Sequence, residues 1–183
     1  MLSIKKIEKI CVMLQLSGIM LLLFLAFFFE IVMNELPCPL CILQRIGFLA
    51  TAFGFLMNLR FGLRPSHYAM ALIGALFTSF VALRQIALHV VPGTGTYGQP
   101  VLGMHLYSWS FVFSMITIVV TTIMMGVDRQ YQNGNSNGTN GNSKWLTHVF
   151  FAIVVFLIAS NMISVFMLCG PHECPDNPVQ YHY

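Results

Sequence analysis

Cys38-Pro39-Leu40-Cys41 places two thiols at a Cys-x-x-Cys spacing, where one long apolar segment ends and the next begins. Two thiols so spaced can close into a small disulfide or share a metal ion. At a membrane surface such a pair suggests redox chemistry coupled to something dissolved in the lipid. Arg45 lies four residues after Cys41, so a helix starting near Cys41 puts both on one face. There the cation favours the Cys41 thiolate over the thiol, and the positive end of the helix adds to it. The same cation can stabilise a reduced, anionic acceptor ring. The plainer reading of Arg45 is an interfacial arginine snorkelling to water.

The elements that must position these residues are membrane spans. The chain has 183 residues, of which 57% are hydrophobic and 8% charged, where a soluble domain carries roughly 25% charged residues. A soluble globule could not cover itself with so few charges, whereas a polytopic membrane protein needs few. The net charge of +3 is too small to point to nucleic acid. Five segments are long and apolar enough to cross a bilayer: Cys11–Met33, Ile42–Leu59, Tyr68–Val91, Leu106–Val127 and Trp145–Leu168. The expected class is an all-α integral membrane protein.

Lys and Arg set the orientation. Lys5, Lys6, Lys9, Arg60, Arg64, Arg129 and Lys144 all fall on one side of five spans; only Arg45 and Arg84 fall toward the other. The N-terminus is therefore expected in the cytoplasm. Cys38, Cys41, the Val91–His105 loop and the tail after Leu168 then face outward. The first span is too long for a signal-peptide core and lacks a small-residue cleavage site, so an uncleaved helix is expected. The stretch Tyr131–Ser143, rich in Asn, Gly and Ser, reads as a flexible cytoplasmic linker. The sequon at Asn137 carries no meaning on that side. The organisation expected is a four-helix unit over 1–130, a loop over 131–144, and a fifth span with an external tail over 145–183.

Cysteine placement agrees with that topology. Cys11 reads as a small apolar residue of the first span. The other four, Cys38/Cys41 and Cys169/Cys174, fall on the outer side, where disulfides persist if that side is oxidising. Their pairing has three solutions, among which sequence does not choose. Zinc is one competing use of four thiolates, although an oxidising location and placement at helix ends count against it. Structural disulfides stapling a small membrane scaffold are another.

The stretch Cys38-Pro39-Leu40-Cys41-Ile42-Leu43-Gln44-Arg45 resembles the first external loop of the disulfide bond formation protein B (DsbB) family. Arg84-Gln85, followed by Pro92, is similar to that family as well, and the resemblance spans residues 10–127. It implies a DsbB-like four-helix transmembrane bundle, here with one additional C-terminal helix. It also implies a quinone-coupled thiol oxidase of the bacterial inner membrane. Such an enzyme reoxidises a periplasmic thioredoxin-like protein of the DsbA type and passes electrons to ubiquinone or menaquinone. Cys38 and Cys41 match the quinone-side pair, with Cys41 nearest the quinone, and Arg45 matches the quinone-site arginine. Arg84 and Gln85 are carried over as further quinone-site residues.

One departure matters. The family carries its second cysteine pair between the third and fourth spans, and here that loop, VVPGTGTYGQPVLGMH, has no cysteine. The second pair instead follows the extra fifth span, which is what returns it to the outer side. Cys169 and Cys174 are therefore expected to act as a displaced shuttle pair. His172, between them, raises thiolate content if protonated and is otherwise an exposed tail histidine. His105 and Trp109 read as quinone-pocket residues or, with Tyr107, as an interfacial aromatic belt. Tyr181 and Tyr183 are expected at the interface or on a partner. Glu30, an ionisable group near the outer end of the first span, is a functional candidate by default, and its plainer reading is a solvated interfacial carboxylate; His67 and His148 read as incidental residues of the cytoplasmic face.

Overall fold

The structure is a computed structural model in which residues 4–90, 98–127, 141–172, 174 and 181 are described. Five helices follow one another: α1 (Ile4–Val32), α2 (Pro39–Phe61), α3 (Pro65–His89), α4 (Leu106–Met125) and α5 (Gly141–Cys169). All five are long and apolar enough to cross a membrane. The shortest has 20 residues, about 30 Å of helix, which matches the hydrocarbon thickness of a bilayer. This is an all-α, multi-pass membrane protein. Most of the stretch read as a linker lies outside the described residues, but α5 begins at Gly141, inside that stretch.

Each helix begins or ends as its sequence dictates. Pro39 and Pro65 open α2 and α3, positions where proline's missing N–H is no loss and its fixed φ is already helical. Gly170 follows the last residue of α5 at φ 59°, and its N–H bonds the Phe166 carbonyl at 2.8 Å. A left-handed residue there ends the helix and turns the chain back over the bundle.

The helix at the centre is α2, which packs on α1, α3 and α5. Val12, Leu16, Ile19 and Leu23 make one stripe on α1 and meet Leu49, Ala52, Phe55 and Leu56 of α2 in the core. In lipid the gain comes from close packing rather than from water exclusion, so small residues at the crossing decide how near two backbones come. Gly54 allows such an approach: a Cβ there would stand 2.5 Å from the Ala71 amide nitrogen and 2.8 Å from the His67 carbonyl oxygen. These neighbours are backbone and cannot swing aside. Gly54→Val is expected to separate α2 from α3 and cost about 1–3 kcal/mol, read as a lower midpoint of thermal unfolding in detergent.

Candidate redox site at one end of the bundle

The C-terminal ends of α1, α3 and α5 meet the N-terminal ends of α2 and α4, and both cysteine pairs lie at this end. Each pair is closed as a disulfide, Cys38 to Cys41 and Cys169 to Cys174, with Cα separations of 5.0 Å and 4.6 Å. Of the three pairings open to the sequence, the local one is present. Cys11 is free and lies half-buried in α1.

The first pair is built into the start of α2. Cys38 is the N-cap residue, and its Sγ accepts the Cys41 backbone N–H at 3.1 Å. The sulfur thus occupies the place that a serine or aspartate oxygen takes in an ordinary cap. Cys38 is 6% exposed, and Cys41 is half-buried. Gln85 of α3, fully buried, brings its Nε2 to 3.3 Å from Cys38 Sγ and 3.5 Å from Cys41 Sγ. Its Oε1 accepts Nε2 of the buried Gln44 at 2.6 Å. That bond fixes which end of the Gln85 amide faces the sulfurs, so they meet a donor. An N–H donor favours a thiolate over a thiol.

Arg45 does not lie in water. It is buried, its Nη1 pairs with Glu30 Oε2 at 2.5 Å, and its Nη2 donates to the Ala26 carbonyl at 3.2 Å. The guanidinium stacks over Phe27 at 4.6 Å from the ring centre, a cation–π contact strengthened by desolvation. The snorkelling alternative is excluded, and so is the expected solvated Glu30, which is 3% exposed. The reason is that Ser164 of α5 and Tyr181 of the tail cover the C-terminal end of α1. Glu30 Oε1 accepts the Ser164 hydroxyl and, at 2.8 Å, the Tyr181 hydroxyl. The Glu30 partners Ser164 and Tyr181 were not legible from sequence. The available signal was Glu30 itself, an ionisable residue within a span.

The second pair sits beside the first site. Cys169, Leu168 and Ile42 form a small buried cluster, against which Leu36, Val165, Cys174 and Tyr181 pack. Ile42 follows Cys41 directly, so the tail disulfide shares its apolar bed with the first turn of α2. His172 is exposed, as the plainer reading expected.

The remaining expected residues divide. Arg84 is exposed, one residue from Gln85 on α3, and no bond joins it to the cysteines. His105 stacks on Tyr107 with ring centres 5.3 Å apart, and Tyr107 on His89 at 5.4 Å. Trp109 Nε1 donates to the Val101 carbonyl at 2.9 Å, tying the loop to α4. The His105, Tyr107 and His89 rings form an aromatic stack at the cysteine end. His67 is buried near the opposite end, its Nδ1 3.1 Å from the Gly62 carbonyl.

Bundle and site together define a multi-pass membrane protein with two disulfides at one end, one of them in a helix cap beside a buried arginine. The family model Disulfide bond formation protein DsbB matches residues 8–97, and over that stretch the chain belongs to the DsbB family. No curated protein and no solved structure matches. Membership makes this a membrane oxidoreductase of disulfide formation. The matched stretch includes Cys38, Cys41, Arg45 and Gln85; Cys169, Cys174, Ser164 and Tyr181 lie beyond it.

Proposed function

We propose that the protein is a thiol:quinone oxidoreductase of the bacterial inner membrane that reoxidises a periplasmic, thioredoxin-like protein of the DsbA type. The observation that carries the reading is the Ile42 cluster, in which the tail pair packs against the first turn of the helix capped by Cys38. The orientation that goes with it has the N-terminus in the cytoplasm and both pairs in the oxidising periplasm, as the basic residues favour. In this reading 1–130 is the DsbB-like unit, 131–144 its cytoplasmic loop, and 145–183 an added helix and tail joined to it through Ser164 and Tyr181.

The relay runs in two exchanges. A thiolate of the reduced partner attacks the Cys169–Cys174 disulfide and forms a mixed disulfide. The partner's second thiolate then breaks that bond, leaving with its own disulfide formed and the tail pair reduced. The reduced tail attacks the Cys38–Cys41 disulfide at Cys38 and regains its own bond, while Cys41 leaves as a thiolate. Because Cys38 is buried when its disulfide is closed, this exchange belongs to an opened arrangement of the tail. Gln85 donates to both sulfurs and so favours the leaving thiolate.

The residues present fit a quinone. The two bonds that Arg45 makes use two of its five N–H donors, leaving donors for a carbonyl oxygen. An apolar groove of about 650 Å³ starts at Ile46, next to Arg45, and runs between α2 and α5 past Phe53 and Met162, which suits an isoprenoid tail. A bound ubiquinone or menaquinone would supply a two-electron, two-proton acceptor for reforming the disulfide from the Cys38/Cys41 dithiol. Arg45 would hold the acceptor end, with the exposed Arg84 at the rim.

Trapping tests the tail's part. Cys169→Ser or Cys174→Ser leaves one tail thiol and no intramolecular bond to reform. With a periplasmic thioredoxin-like partner that lacks its second cysteine, and so cannot break the bond, one of the two is expected to accumulate a mixed disulfide, seen as a reducible band on non-reducing gels. No adduct with either variant removes Cys169 and Cys174 from the relay.

A further inference from the structure

The buried Glu30–Arg45 pair takes two of its ligands from outside the stretch that matches the family. Arg45 occupies one carboxylate oxygen, and Ser164 of α5 and Tyr181 of the tail occupy the other. A buried ion pair holds its geometry only when the remaining lone pairs are satisfied, because the desolvation of both charges must be offset. Residues 8–97 alone leave Glu30 Oε1 open. The groups that face Glu30 are Arg45 from α2, Ser164 from α5 and Tyr181 from the tail. Tyr181 lies seven residues after Cys174, and both pack with Cys169 on the Ile42 cluster. A covalent tether at Cys174 keeps that phenol at high effective concentration beside Glu30.

We infer that Ser164 and Tyr181 are positioning residues for Arg45, acting through Glu30, and that the Cys169–Cys174 bond is the tether that keeps Tyr181 in place. The inference deepens the proposed function and rests on its reading of Arg45 beside the Cys38–Cys41 redox centre. Opening the tail disulfide costs two electrons and two protons from the partner dithiol. It leaves both sulfurs as thiols and frees the chain beyond Cys174. Tyr181 then leaves Glu30, and the guanidinium is less firmly held one turn from Cys41. The tail's redox state is in this way felt at the first pair before any exchange between them. Burial and the Glu30 carboxylate push the Tyr181 phenol above its ordinary range, so at neutral pH it is protonated and donates.

Two measurements on the full chain in detergent test this. The first titrates tyrosinate absorbance. The native chain is expected to lack one ordinary tyrosine titration that Cys169→Ser/Cys174→Ser regains, and adding Tyr181→Phe should remove the regained signal. An identical titration in the closed and tail-opened chains overturns the tether. The second follows reduction of a short-chain quinone by dithiothreitol. Tyr181→Phe and Ser164→Ala are each expected to slow it about tenfold, the scale of one charge-assisted hydrogen bond. In a Glu30→Gln background Tyr181→Phe should cause no further loss; an undiminished loss overturns the positioning role. A native chain that reduces no quinone refutes the redox reading instead, and the tyrosine titration still decides the tether.

Discussion

Cys38→Ala and Cys41→Ala are each expected to abolish quinone reduction by a reduced dithiol partner, with the helical content retained. Each variant removes one of the two sulfurs that must carry an electron pair, and no neighbouring group can substitute. Gln85 can donate to a sulfur but cannot accept electrons, and Arg45 can hold charge but not exchange it. Cys11 lies in α1 within the other half of the core, among the residues packed against Val12 and Leu16, and offers no replacement. The two variants should differ in one respect. Cys41→Ala leaves a Cys38 thiolate that can attack the Cys169–Cys174 bond, so it should collect a Cys38–tail mixed disulfide with the other tail sulfur released as a thiol. Cys38→Ala should not. The check is quinone absorbance during turnover together with a non-reducing peptide map. Turnover that persists in both variants would end the redox reading and return the pair to a structural staple. A staple would show itself as a loss of stability in the same variants.

The second large effect concerns Glu30. Removing one partner of a buried ion pair leaves an uncompensated charge, and the cost is about 3–5 kcal/mol. Glu30→Ala should therefore lower the unfolding midpoint in detergent far more than an ordinary apolar truncation near a helix end. It strands Arg45, which has only the Ala26 carbonyl and the Phe27 ring left to it. Replacing both charges, as Glu30→Leu/Arg45→Met, removes the stranded cation and should recover part of the loss. The recovery stays incomplete because the Ser164 and Tyr181 hydroxyls lose their acceptor, at about 1–3 kcal/mol for a buried unsatisfied group. A double variant as unstable as Glu30→Ala would mean that the ion pair is not what holds α1, α2 and α5 together at this end.

The departure from a plain four-helix unit acquires a physical meaning from these contacts. The fifth helix does more than carry the tail to the other face of the membrane. Through Ser164 it supplies a ligand to the Glu30 carboxylate, and its last turn makes the apolar bed on which the tail disulfide lies. Gly170 makes this possible, because a left-handed residue directly after Cys169 lets the chain fold back over the end of α1. A continued helix would have carried Cys174 and Tyr181 away from the site.

Much of this protein was determined by the sequence alone. Five apolar segments must be helices in a bilayer, since only a helix satisfies its own backbone hydrogen bonds there. The Cys-Pro-x-Cys run had to sit at a helix start, because Pro39 suits the first turn and the two cysteines bracket it. The parity of the spans put both cysteine pairs at one end. These features depend on composition, periodicity and neighbours in the chain. What only the tertiary structure decided are the contacts between residues far apart in sequence. Glu30 meets Ser164 and Tyr181 across more than 130 positions, and Gln85 reaches the Cys38 sulfur across 47. No local pattern marks such meetings, since each depends on how neighbouring helices rotate and how the tail folds back. Arg45 shows the difference most clearly. Its spacing from Cys41 was readable and its helical face predictable, but whether its charge faced water or a carboxylate was set by the cover that α5 and the tail lay over α1.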